Sequence, residues 1–239
     1  KILDIRRALD NEICEITGMV RGELRIGLSY SRGQALLPYI LPRYHPQYPL
    51  IEITLKEGNS RALFEQLQQG EIDLVISTDP KLKTVAETIP LMKERIFLTV
   101  PNRFFEAGFG DYAEQARKSF SGGARLSGLR DLPFIMLKRG DHVREALNEA
   151  LAAAGITPNI LLETENIQTA LSLSALGLGM TAVPEMFIRS AFIRHSADLD
   201  AVLSRFPLAG NEPETLCVGY RKYTTPGPAA EAFIAQLKE

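Results

Sequence analysis

Apolar positions at the start of the chain recur at helical spacing: Ile2, Ile5, Leu9, Ile13 and Ile16 stand three or four residues apart, the signature of one buried helix face. Charged residues fill the other faces, and Gly18 is a C-terminal stop. A helical pattern already running at residue 1, with no cap before it, predicts that residues 1–18 are the end of a longer linker helix. Its narrow, near-heptad stripe suits pairing with a second helix. From residue 23 the period changes to two, which predicts a strand over 23–28. Leu36, Leu37, Ile40, Leu41 and Tyr44 then form a helical face containing Pro38 and Pro42, so this helix is expected to bend or begin late. Strand alternation returns at Ile51, Ile53 and Leu55. Asn59 and Ser60 supply a cap for a helix carrying Leu63, Phe64 and Leu67 that stops at Gly70. The near-continuous apolar run 72–76 reads as a strand covered on both faces. Such a βαβαβ series implies a mostly parallel sheet with right-handed crossovers.

Residues 89–92 and 96–100 read as two further strands, and then the grammar repeats. A strand at 134–137 precedes a helix with Val143, Leu147 and Leu151 that ends at Gly155. A strand at 159–162 precedes a helix capped by Asn166, carrying Ile167, Ala170, Leu171 and Ser174 and ending at Gly177. A strand at 180–183 follows. Between the two series lies a polar, Gly- and Ser-rich stretch, 102–128, with an amphipathic piece around 112–120. The chain closes on a strand with Leu216, Val218 and Tyr220 and a helix with Phe233, Ile234 and Leu237. Two α/β halves predict two lobes, residues 19–100 plus 205–239 and residues 101–204, joined by a two-stranded hinge with a ligand cleft between them.

Charge narrows the function. A net charge of −2 and a pI near 6.0 exclude a phosphate-reading basic surface on this segment. No apolar run of about 18 residues predicts a membrane span. Cys14 and Cys217, far apart in sequence, read as thiols of a reducing cytoplasm. Gly27 to Ser31 lacks the second glycine of a nucleophile elbow. Gly177-Leu178-Gly179 lacks the third glycine of a dinucleotide loop and precedes a strand. His45, His142 and His195 lie in three separate segments, so neither a metal nor a cofactor is expected. His142 beside Asp141 is the one candidate catalytic pair, and a solvent-facing or ligand-binding histidine at a helix start is the better reading.

The loops between strands and helices carry small hydroxyl and amide residues: Ser29, Tyr30 and Ser31; Asn59 and Ser60; Arg139 and Asp141; Asn166 and Ile167. Ser77, Thr78 and Thr99 complete the candidate ligand-binding set. In open parallel sheets such loops lie at the carboxyl ends of the strands, where ligands bind. Helix N-termini there favour an anion, although the same residue types are ordinary helix caps.

Gly22 to Gly27, Leu36-Leu37-Pro38, Tyr48-Pro49, Gly70 to Ile76, Leu129 to Ile135, Gly177 to Pro184 and the closing helix together resemble the effector-binding domain of LysR-type transcriptional regulators. The similarity covers about residues 19–239. It implies two Rossmann-like lobes in a type II periplasmic-binding-protein-like fold, and a small-molecule effector bound in the cleft. By position, Ser31 and Ser60 match residues that commonly contact the effector, and Asn166 with Ile167 lie where the second lobe meets it. The resemblance further implies a cytoplasmic homodimer or homotetramer that reaches DNA only through a winged helix-turn-helix domain outside this sequence. The stretch after Pro101 departs from the family pattern, since many members have a short His-Pro-Leu segment there. Lys138 and Arg139 favour an anionic effector if they face the cleft. Two other functions suit the architecture: a transport-type binding protein, which would need a secretion signal, and an enzyme such as a porphyrin-pathway deaminase, which would need a cysteine in a loop.

Overall fold

The alternation at 23–28 becomes strand β1 (Gly22–Leu28) in the computed structural model, which describes residues 20–119, 131–189 and 202–238. The expected linker helix at 1–18 lies outside the described residues. The chain divides into two units, one running to Lys93 and resuming at Thr215, the other Glu94–Glu214.

In unit 1, β1 pairs in parallel with β2 (Ile51–Glu57) and with β3 (Leu74–Ser77). The sheet order is β2-β1-β3-β10-β4, with β4 at Ala86–Glu94 and β10 at Glu214–Arg221, the latter antiparallel to β3. The period of two splits each central strand between two cores. Leu24, Ile26, Leu74, Ile76, Leu216 and Val218 face helix α1 (Tyr30–Gln47) and the final helix, Pro228–Leu237. Val75 and Cys217 face the opposite side, under α2 (Ser60–Gln69) and the short α3 (Leu82–Val85). Gly27 lies on that second side, where a Cβ would stand 2.5 Å from Ile72 Cδ1, so a larger residue would have to displace that side chain.

Helix α1 neither begins late nor breaks at its prolines. It starts immediately after Ser29, whose side chain caps the Arg32 N–H at 3.4 Å. Pro38, Pro42 and Pro46 are spaced by four and all exposed, so the carbonyls they leave without donors face water. The other side buries Leu37, Ile40 and Tyr44. The Tyr44 hydroxyl donates to the Ala229 carbonyl at 2.8 Å, and its ring meets Phe233 edge-on at 5.2 Å. Burial pushes the Tyr44 phenol well above its usual range, so it stays a donor.

In unit 2, β5 (Ile96–Pro101) is flanked by antiparallel β8 (Thr181–Pro184) and β9 (Leu203–Pro207). Strands β6 (Pro133–Leu137) and β7 (Asn159–Thr164) pair in parallel. A bridge between Phe134 and Met180 joins the two pieces, with Ile135 N donating to Met180 O at 2.8 Å. The stretch after Pro101 folds as α4 (Asn102–Phe109), a 3-10 turn and α5 (Ala113–Ser119), while 120–130 lies outside the described residues. Phe105 of α4 is buried, its ring 5.7 Å from that of Phe206 on β9. Helix α6 (His142–Ala153) follows β6, α7 (Ile167–Ala175) follows β7, and α8 (Glu185–Arg189) follows β8. The final helix of unit 1 is α9.

The division between units differs from the sequence expectation. Residues 94–100 and 205–214 belong to the second unit rather than the first. The reason is backbone pairing: β5 bonds along its length to β8 and β9, a commitment between distant segments that no local pattern announces.

Candidate ligand-binding loops

Because β1 lies between parallel β2 and β3, the loops leaving those three strands share one edge of the unit 1 sheet. They bring together Ser29, Tyr30, Ser31, Asn59, Ser60, Ser77 and Thr78. Local chemistry divides their roles. Ser29 caps α1, and Asn59 caps α2 by accepting from Ala62 N at 3.0 Å. Ser77 Oγ accepts from Asp79 N at 3.0 Å, shaping the turn after β3, and Thr78 is buried. Ser31 and Ser60 sit inside the first turns, half-buried, and their hydroxyls have no protein partner among the described residues. Tyr30 is largely exposed beside them.

In unit 2 the loops after β6 and β7 are likewise adjacent, with Lys138 N donating to Thr164 O at 3.0 Å. Asp141 caps α6, its Oδ1 accepting from Val143 N at 2.8 Å and Arg144 N at 3.3 Å. Asn166 caps α7 through Gln168 N at 2.8 Å and Thr169 N at 3.3 Å. Ile167 is buried. Lys138 is committed to an ion pair with Glu165, whose carboxyl it holds below the usual range. Arg139 is exposed, and its charge acts on the Glu163 carboxylate.

Thr99 is placed differently. It is 1% exposed, and its hydroxyl donates to Thr181 O at 3.0 Å and lies 3.2 Å from Ser174 Oγ. That hydroxyl ties β5 to β8 and α7. Of the candidate pair His142 and Asp141, Asp141 Oδ1 caps α6. His142 Nε2 lies 3.4 Å from Glu214 Oε2. Cys217 is buried in β10, and burial pushes its thiol up, away from a reactive thiolate. Among the described residues no group of three His, Cys, Asp or Glu side chains is placed to hold a metal, and no helix is long and apolar enough to cross a membrane.

One residue stands out that the sequence reading passed over. Gln168, in the first turn of α7, is 6% exposed, and neither polar atom of its amide has a partner among the described residues. The available signal was its place on the face that also carries Leu171, where an apolar residue is expected. An unpaired buried amide costs about 1–3 kcal/mol. Gln168→Met, of similar shape, is therefore expected to raise the urea midpoint, and a lowered midpoint would show that the amide is satisfied.

The chain matches the family described as LysR substrate binding domain over residues 17–239. It is 31% identical over 248 residues to the uncharacterized HTH-type transcriptional regulator YcgK of Bacillus subtilis, covering 100% of this chain and 74% of that one. It spans about half the length of seven other curated relatives, which are described as transcriptional regulators or gene activators. The C-terminal domain of a probable LysR family regulator from Rhodococcus sp. RHA1 superposes with a TM-score of 0.70 at 24% identity, covering 92% of this chain and 100% of that one. The effector binding domain of QuiR, solved in complex with shikimate, superposes with a TM-score of 0.65 at 16% identity, covering 91% and 95%. With this likeness the fold is the type II periplasmic-binding-protein-like one, and the chain belongs to the LysR substrate binding domain family.

Proposed function

We propose that the chain is the effector-sensing part of a transcriptional regulator and that its loops bind a small anionic metabolite. The observation that carries the anionic reading is the division of labour in the unit 1 loops. Ser29 and Asn59 satisfy the helix N-termini, so the hydroxyls of Ser31 and Ser60 are left to donate to a ligand. Shikimate, a hydroxylated carboxylate, is the molecule bound by the QuiR domain. The full protein would act in the cytoplasm as a homodimer or homotetramer, reading DNA through a separate winged helix-turn-helix domain and carrying out no turnover of its own. A structure of full-length CbnR with its target DNA superposes on this chain with a TM-score of 0.61.

A thermal-shift screen of hydroxylated and simple organic acids identifies the effector. Ser31→Ala and Ser60→Ala are each expected to weaken its binding about tenfold to a hundredfold, the worth of a hydrogen bond to a charged group. The melting temperature without ligand should stay unchanged, because neither serine is the cap. A lower melting temperature with unchanged affinity would overturn the assignment of these serines.

A further inference from the structure

The first turn of α7 buries a side chain that packing alone does not call for. Gln168 is 6% exposed, whereas Asn166 and Thr169 beside it in the turn are exposed. Its Oε1 and its Nε2 are both buried without a hydrogen-bond partner among the described residues. Gln66 and Asn211 each hide an amide oxygen in the same way, but there only the oxygen is involved. Gln168 is thus the one buried amide among the described residues that keeps both its donor and its acceptor unused. An orphaned buried pair of this kind calls for a reason, since an apolar side chain of the same shape would avoid the cost.

The backbone of this turn is already served. Asn166 Oδ1 accepts from Gln168 N and Thr169 N, and Asn166 N donates to Thr164 Oγ1 at 3.1 Å. The unused groups therefore belong to the side chain alone. Helical Cα–Cβ bonds tilt toward the N-terminus, so a first-turn residue carries its side chain back toward the preceding loop, at the positive end of the helix. An exposed amide gives up a bond to water for every bond it makes to a ligand, which leaves little net gain. The Gln168 amide is shut off from water, so a ligand that satisfies it keeps most of the bond and an analogue lacking the matching group is rejected. Glutamine presents its acceptor and its donor from one carbon. In an anion, the matching groups are a carboxylate oxygen and a hydroxyl on the neighbouring carbon.

We propose that Gln168 is the specificity-determining residue of the unit 2 loops and that it selects 2-hydroxy carboxylates. Nε2 donates to a carboxylate oxygen of the ligand, and Oε1 accepts from its 2-hydroxyl. The amide reaches the ligand by turning about its side-chain bonds toward the exposed loop that carries Asn166. This inference rests on the effector reading proposed above, and it narrows the class of acid.

The test is NMR titration of the full chain, reading the side-chain NH2 signal of Gln168. The probes are two matched pairs, lactate against propanoate and malate against succinate, with propanamide as an uncharged control. Lactate and malate are expected to shift that signal saturably and to bind about tenfold or more tightly than their partners without the hydroxyl. Gln168→Met should bring the members of each pair to equal affinity while raising the urea midpoint of the ligand-free chain, a combination that a merely structural side chain does not give. The NH2 signal is read on the unaltered chain, so the test stands even if that variant does not fold. Equal binding within both pairs, an NH2 signal unmoved at saturation, tighter binding of propanamide than of lactate, or a lowered urea midpoint in Gln168→Met overturns the assignment. Absence of saturable binding by lactate and malate also overturns it. Binding of some other organic acid that depends on Ser31 and Ser60 would then leave the effector reading standing, whereas no binding by any acid would end both.

Discussion

Phe233→Ala should lower the unfolding free energy by about 3–5 kcal/mol, the range for emptying a well-packed aromatic site. Phe233 is 0% exposed and sits in the core shared by α1, α9 and the β1–β3–β10 sheet. Its ring is edge-on to Tyr44, itself 0% exposed and anchored by its hydroxyl to Ala229 in the first turn of α9. The cavity left by truncation has little freedom to collapse, because the sheet fixes one wall and the Tyr44–Ala229 bond fixes the distance between the helices. Urea unfolding measures the loss, and a value below about 1 kcal/mol would mean that the site repacks. Tyr44→Phe separates packing from hydrogen bonding. It keeps the ring contact, leaves the Ala229 carbonyl without its donor, and should cost about 1–3 kcal/mol.

The second large effect belongs to Arg144. Its side chain is 4% exposed in unit 2. It donates to Leu137 O at 2.6 Å, to Glu163 Oε1 at 2.7 Å and to Asn148 Oδ1 at 3.0 Å. One guanidinium therefore clamps the end of β6, the strand β7 and the helix α6 that follows from its own capping loop. Arg144→Met keeps much of the apolar stem but orphans the Leu137 carbonyl, and should cost about 2–3 kcal/mol at neutral pH.

The pH dependence of that loss is specific. The Arg144 hydrogen bond holds the Glu163 carboxyl below the usual carboxylate range, with Arg144, Arg139 and Lys138 adding charge in the same direction. A carboxylate whose folded value is depressed stabilises the protein above its unfolded value, about 4.3, and loses that contribution as pH falls through the folded value. The difference in urea midpoint between wild type and Arg144→Met should therefore be constant above about pH 5 and narrow below about pH 4. A difference that persists unchanged to about pH 3 would show that Glu163 takes no part in the clamp.

Much of the architecture is written in local chemistry. The period of two at 23–28, the apolar run at 72–76 and the helical faces ending at Gly70, Gly155 and Gly177 all correspond to elements in the structure. Asn59 and Asn166 cap the helices they were expected to cap. These features are legible because each depends on residues within a turn or two of one another. Tertiary structure decided the rest, because it depends on partners far along the chain. β9 showed no strand signal in its five residues, and β5 joined the second unit because of pairing with distant segments, as in Leu98 with Ala182 and Phe206, 84 and 108 residues away. The solvent-facing row of prolines let α1 run unbroken only because Tyr44 and its neighbours had a core to enter. Candidate residues of similar type were sorted the same way. Ser29 became a cap and Ser31 did not, Thr99 was drawn into a bond with Thr181, and Lys138 was drawn to Glu165 while Arg139 was left exposed. Sequence determined which residues could donate or accept, and the packing of distant segments determined which of them remain available to a ligand.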